Sequence, residues 1–139
     1  MVRRLYVEKR PGFDVEASHL LEDIRTSLAP KGLRGLRCFN RYDVEGLSDA
    51  DYERAKATIF SEPNIDFVYD ESLPDLSGYS VFATEYLPGQ YDQRADSAAQ
   101  CIQLLTSGEY PAVASARILA LEGELSQEDV LRIRAFVIN

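Results

Sequence analysis

The sequence predicts an α+β protein in which helices pack on an antiparallel sheet and one β-α-β-α-β unit occurs twice. Three observations lead to this prediction: strand-like alternation, amphipathic helical stripes between the alternating segments, and similar residues that recur after 77 or 78 positions. The recurring pairs include Glu8 and Glu85, Pro11 and Pro88, Gly12 and Gly89, Asp14 and Asp92, Ala17 and Ala95, Ile24 and Ile102, Asp51 and Asp129, Arg54 and Arg132, and Ala57 and Ala135. A nearly constant offset indicates an internal duplication.

The first unit, residues 1–72, is predicted to begin with a strand and a helix. Residues 4–9 alternate between apolar and polar side chains as a half-buried strand does. Pro11 and Gly12 then turn the chain, and Asp14 is a favourable N-cap for a helix that runs to about residue 28.

The remainder of the first unit is predicted to run strand, helix, strand. Residues 36–45 are extended and long enough for either a bent strand or a hairpin. Ser48 caps the next helix, Pro63 stops it, and residues 65–69 form the third strand.

A linker at residues 73–78 precedes the second unit, residues 79–139. Its predicted elements are a strand at 79–86, a helix at 92–105, a strand at 113–121 and a helix at 126–138 that Ser126 caps. The counterpart of the third strand would fall beyond Asn139. We therefore expect one domain of two repeats, the second lacking its last strand, and a chain that is part of a longer protein.

Composition and charge argue against several classes of partner. Hydrophobic residues make up 45% of the chain, which is enough for a packed core. The net charge of −8 disfavours nucleic acid or an anionic membrane as partner. No apolar run approaches the roughly 18 residues of a membrane span, and no signal-peptide core precedes the first strand. The sequence thus predicts a cytoplasmic protein.

Few residues offer catalytic or metal-binding chemistry. His19 is the only histidine, lies beside the apolar stripe of the first helix, and is predicted to be a surface residue. Cys38 and Cys101 have no metal-type spacing and are predicted to be reduced, mostly buried thiols. No catalytic residue, metal ligand or cofactor is predicted within this chain.

Residues 85–101 combine a turn, a helix start and an unusual share of polar side chains with alanines. Small side chains would let another backbone approach, and the polar ones could hydrogen-bond across that contact. The candidate interdomain-contact residues are Gln90, Gln93, Arg94, Asp96 and Gln100. Asp92 and Asp96 also suit a helix start, so an ordinary capped helix is one alternative and a catalytic carboxylate pair is another.

Residues 40–46 are polar in the first unit, whereas their counterparts at 117–123 are mostly apolar. This asymmetry indicates that the two halves face different surroundings. Arg41 and Asp43 are therefore further contact candidates, and ordinary surface positions on a strand are the alternative.

Together, residues 40–46, 60–63 and above all 85–101 resemble the N-terminal region of phosphoribosylformylglycinamidine synthase in its long single-chain bacterial form. The resemblance spans essentially all 139 residues. It implies a domain similar to a dimer of the small PurS subunit, which is the same two-copy pattern that the spacing predicts.

The resemblance also implies a role in purine biosynthesis. The whole enzyme is a glutamine amidotransferase and ligase that uses ATP and Mg to convert formylglycinamide ribonucleotide to the amidine. This region would dock the synthetase and glutaminase domains of the same chain and support ammonia transfer, with no activity of its own. The alternative, of a different class, is a free-standing ferredoxin-like regulatory module that binds a small metabolite between its halves.

Overall fold

The structure, a computed structural model, describes residues 1–138, so Asn139, the last residue of the predicted second unit, lies outside the described residues. The strands are β1 (Val2–Lys9), β2 (Gly35–Glu45), β3 (Asp66–Asp70), β4 (Tyr79–Glu85) and β5 (Ala112–Glu122). The helices are α1 (Val15–Leu28), α2 (Asp49–Thr58), α3 (Gln93–Thr106) and α4 (Gln127–Ile138). The predicted α+β class is confirmed. Residues 36–45 belong to a single strand, so the hairpin alternative is wrong.

The five strands form one antiparallel sheet in the order β3-β1-β2-β5-β4. Its centre is the pairing of β2 with β5, which extends over all eleven residues from Gly35 opposite Glu122 to Glu45 opposite Ala112. Within residues 1–138 this pairing is the only sheet contact between the strands β3, β1 and β2 and the strands β5 and β4. The two halves of the chain therefore share one continuous sheet.

All four helices lie on the same face of this sheet, in two pairs. The pair α2 and α3 packs over a cluster of Leu5, Val7, Tyr42, Val44, Tyr52, Ala55, Phe60, Ala98 and Ile102. The pair α1 and α4 packs over a second cluster that contains Ile24, Leu33, Leu121 and Ile133, with Leu36 and Phe82 against it. Side chains alternate between faces along a strand, so Leu36 and Tyr42 of β2 point to the same, helix-covered face.

The opposite face carries a smaller core beneath the linker. Tyr6, Phe39, Ile118 and Ala120 form it, and Leu73 and Leu76 of the linker pack against them. The residues predicted to join the two units thus cover part of the face that the helices leave open.

An ion pair closes one end of that smaller core. The Arg37 guanidinium donates two hydrogen bonds of 2.7 Å to the carboxylate of Glu8, which also accepts a 2.9 Å bond from the Tyr69 hydroxyl. Glu8 is buried, so these three donors compensate the loss of its hydration.

Helix starts follow the predicted capping in three of four cases. The hydroxyls of Ser48 and Ser126 accept hydrogen bonds from the backbone N–H groups of residues 51 and 129. Asp92 accepts from the Ala95 N–H at 3.0 Å. Asp14 occupies the predicted N-cap position of α1, but its side chain does not cap the helix. Its carboxylate accepts a hydrogen bond from the Gly12 N–H in the turn before α1.

The turn after β5 touches the turn before β2 through two glycines. Gly32 and Gly123 both have positive φ, 85° and 127°, and each has a backbone carbonyl oxygen where a Cβ would stand. Any side chain at either position would separate these turns. The two turns join the two halves of the chain at the end of the central strand pair.

The two cysteines differ from the prediction. Cys38 is partly buried, but Cys101 is exposed, because the buried stripe of α3 runs through Ala95, Ala98 and Ile102 and position 101 falls beside it. His19 is exposed, as predicted. Within residues 1–138 no helix combines the length and the apolar character needed to cross a bilayer.

Truncation of Ile102 tests the packing of α3. Ile102 is fully buried, so Ile102→Ala should lower the free energy of unfolding by about 2–5 kcal/mol. Leu104 on the same helix is 83% exposed, and Leu104→Ala should change it by no more than about 0.5 kcal/mol. Urea denaturation measures both values. Equal effects of the two substitutions would contradict the orientation of α3.

Candidate functional site

A polar cleft separates the two helix pairs on the helix-covered face of the sheet. Its floor is formed by the middle of β2 and β5, where Asn40 lies opposite Arg117 and Tyr42 lies opposite Ser115. Apolar clusters flank these positions on both sides, under α2 and α3 and under α1 and α4. The floor is therefore polar where a core of this kind is usually apolar.

Two helices add charged side chains to the cleft, which we define by Glu16, Asn40, Arg94 and Arg117. Glu16 of α1 binds Arg117, with 2.6 Å between Oε1 and a terminal guanidinium nitrogen. The Nε of Arg117 is buried and has no hydrogen-bond acceptor within residues 1–138. Arg94 of α3 comes from the opposite helix pair, so both pairs contribute to the cleft.

The four cleft residues line two adjoining cavities. One has a volume of about 200 Å³ and reaches under α1 to Cys38 and Ala17. The other has a volume of about 300 Å³ and opens beside Tyr86 at the end of β4. Arg94 also lines a third, more open cavity of about 450 Å³ next to Cys101. Arg94 thus stands at the junction of three concave regions.

The charge states of the cleft residues follow from their neighbours. Arg94 is an exposed residue whose guanidinium is partly desolvated, which opposes its charge, but the Tyr42 hydroxyl and the Glu16 carboxylate raise the pKa of Arg94 above its ordinary value. Burial raises the pKa of the Cys38 thiol to about 11, so this thiol is neutral at pH 7. Among residues 1–138 no carboxylate lies within 4 Å of the Arg94 guanidinium, although Glu16 pairs with Arg117. Arg94 is therefore a persistent cation without an ion-pair partner in the described chain.

The start of α3 is fixed to the sheet by Asp92. Its carboxylate accepts hydrogen bonds from the Ser115 N–H at 2.8 Å and the Ser115 hydroxyl at 2.7 Å, in addition to the cap at Ala95. These contacts orient the first turn of α3, which carries Arg94, relative to the floor of the cleft. Asp92 thereby acts as a positioning residue for the cleft.

Asp96 is the centre of a second hydrogen-bond network at the outer side of α3. It accepts from the hydroxyls of Tyr91, at 2.6 Å, and Tyr110, and from the amide of Gln100 at 3.1 Å. The Tyr110 hydroxyl and then that of Tyr91 lower the pKa of Asp96, and the same contact raises the pKa of Tyr110 to about 12. Structural partners therefore account for both carboxylates of the catalytic-pair alternative.

Arg41 and Asp43, the candidates on β2, lie on the sheet face opposite the helices. Arg41 binds Glu85 at 2.5 Å, and Arg4 donates to Asp43 through two nitrogens at 2.6 and 3.2 Å. The structure thus brings Arg94 to the cleft, and it separates Arg41 and Asp43 from every candidate on α3.

The β4–α3 loop, residues 86–92, contains three exposed apolar side chains close in sequence to the candidates on α3. Tyr86 is 49% exposed, Leu87 67% and Tyr91 68%. Gln90 stabilises the turn, because its side chain accepts a 2.7 Å hydrogen bond from the Leu87 N–H. Gln93 follows the loop, is exposed and lines the third cavity.

Sequence reasoning missed Glu16, Asn40, Arg117 and Ser115 as residues of this site. Arg117 is a charged residue in the middle of a mostly apolar strand, and that position was the available signal. The partners could not be inferred, since Glu16 and Arg117 lie 101 positions apart and meet only through the β2–β5 pairing.

The donor groups of the cleft indicate which kind of ligand it can bind. In the part of the chain that is described, no group of three His, Cys, Asp or Glu side chains is placed to hold a metal ion. The cleft instead offers guanidinium and amide donors, which recognise anionic groups.

Comparisons with known proteins supply no relative of this chain. No protein-family model, no curated protein and no solved structure matches it significantly.

Proposed function

We propose that this chain is the N-terminal scaffold of a phosphoribosylformylglycinamidine synthase. In this role it docks a synthetase domain, which uses ATP and Mg, and a glutaminase domain of the same chain, and it supports ammonia transfer between them. The 139-residue chain itself catalyses no reaction.

One observation carries this proposal: the β4–α3 loop exposes Tyr86, Leu87 and Tyr91 next to polar side chains of α3. Exposed aromatic and aliphatic side chains bordered by polar groups are typical of protein contact surfaces. The loop lies within the segment, residues 85–101, on which the resemblance chiefly depends.

The internal duplication is part of the same proposal, and the register of β2 and β5 supports it. Asn40 lies opposite Arg117, the residue 77 positions later. Leu36 lies opposite Leu121, which is the residue 77 positions after Val44. Val44 in turn lies opposite Val113, which is the residue 77 positions after Leu36. Such reciprocal exchange of equivalent residues is the signature of a two-fold contact between two copies.

On this account β1 and β4 are equivalent strands of the two repeats. β1 has β2 on one side and β3 on the other, whereas β4 pairs only with β5 among residues 1–138. The free edge of β4 is where a third strand of the second repeat would bind.

The protein encoded by the complete gene provides the direct test. We expect it to convert formylglycinamide ribonucleotide to the amidine with glutamine and ATP, and we expect the 139-residue chain alone to show no turnover. A complete gene product that binds neither substrate nor ATP would contradict the proposal. Turnover by the 139-residue chain would also contradict it.

A loop variant of the complete protein tests docking. Tyr86→Ser with Leu87→Ser removes exposed apolar contact area, so the amount of amidine formed per glutamine hydrolysed should fall by about tenfold. Leu104→Ser is the control, because Leu104 is also exposed but lies near the other end of α3. Parallel assays of glutamate and amidine give the ratio. An unchanged ratio in the loop variant would exclude docking through this loop.

A further inference from the structure

We propose that the cleft between the two helix pairs binds a small oxyanion, a phosphate or a carboxylate group, between Arg94 and Arg117. This inference does not rest on the proposed function, because it concerns a ligand of this domain and no reaction.

The first argument is the unused hydrogen-bonding capacity of Arg117. Its Nε is buried without an acceptor in the described part of the chain, and a buried donor left unpaired is rare and unfavourable. A ligand oxygen in the adjoining cavities could accept from this guanidinium. The planar fork of arginine is suited to carboxylate and phosphate oxygens.

The second argument is the position of Arg94. It enters the cleft from the other helix pair, lines both cavities that Arg117 lines, and has no ion-pair partner among residues 1–138. Two cations from opposite walls would therefore face one ligand. Asn40 lies on the floor opposite Arg117, lines both cavities and provides a further amide donor.

The third argument is that the present partner of Arg117 is easily displaced. The Glu16 side chain is 66% exposed, and ion pairs of such exposed groups contribute little to stability. A ligand anion can replace Glu16 at Arg117 while Glu16 returns to water. Glu16 thus competes with the ligand and lowers its affinity.

The volumes limit the size of the ligand. The smaller of the two cavities that Arg94 and Arg117 share has a volume of about 200 Å³. Inorganic phosphate or a small polycarboxylate fits such a space. The carboxylates of Glu8, Asp14 and Asp66 also line this cavity, but Glu8 and Asp66 form ion pairs with Arg37 and Lys9. Arg94 and Arg117 are therefore the cations of the cavity wall that remain available to a ligand.

Titration of the 139-residue chain with sodium phosphate and, separately, with citrate tests the site. Amide NMR shifts are followed at constant ionic strength, with chloride as the compensating anion. We expect saturable shifts centred on residues 40, 94 and 117 for at least one of the two probes. Phosphate-only and citrate-only binding both support an oxyanion site and identify which group it prefers.

Three variants separate this site from nonspecific binding. Arg94→Gln and Arg117→Gln should each weaken the affinity by about tenfold, and Glu16→Gln should strengthen it because Arg117 loses its competitor. Arg54→Gln is the control, since Arg54 is an exposed arginine on α2 outside the cleft. Far-ultraviolet circular dichroism verifies that each variant folds. If Arg117→Gln does not fold, the affinity of the Glu16→Gln variant still tests the role of Arg117. Shifts that do not saturate, or an affinity that the Glu16 and Arg94 variants leave unchanged, would overturn the proposal.

Discussion

The pairing of β2 with β5 is the constraint on which the rest of this structure depends. Among the described residues it is the only sheet contact between the first three strands and the pair β4 and β5, and the two helix pairs lie over the one sheet that it completes. Without it each half would expose one long edge strand and half of an apolar helix-covered face, and such edges and faces are unstable in water. The cleft exists because the pairing places a helix pair on either side of it.

Polar side chains in the middle of this pairing form the floor of the cleft and would contact a ligand bound there. Asn40 and Arg117 occupy floor positions that leucine or valine would fill in an ordinary sheet, and removing their hydration lowers stability unless they gain partners. Arg117 has one partner in Glu16 and one unsatisfied donor. The cleft and the β4–α3 loop adjoin each other at Tyr86, which lines the second cavity and is also exposed on the loop.

Much of the fold could be predicted from the sequence, but the site could not. The bounds of the strands and most helix caps follow from local signals. Apolar–polar alternation, a proline that stops a helix and a serine that caps one all depend on residues a few positions apart. Asp14 shows where such local prediction fails. Its carboxylate accepts a hydrogen bond from the Gly12 N–H in the preceding turn, and no sequence pattern specifies that contact. Polarity alone predicts Arg41 and Arg94 as members of one contact surface, yet they lie on opposite sides of the sheet. That separation depends on long-range pairing, which no local signal reveals.

Native-state hydrogen exchange tests the central claim most directly, namely that the β2–β5 pairing makes one cooperative unit of the two halves. If the claim is right, amides of β2 and β5 exchange only through global unfolding, and the most protected amides of β1, α1 and α3 share the same free energy of opening. If amides of α3 and β5 instead open together at a clearly lower free energy than those of β1 and β2, the halves are independent and the account is contradicted.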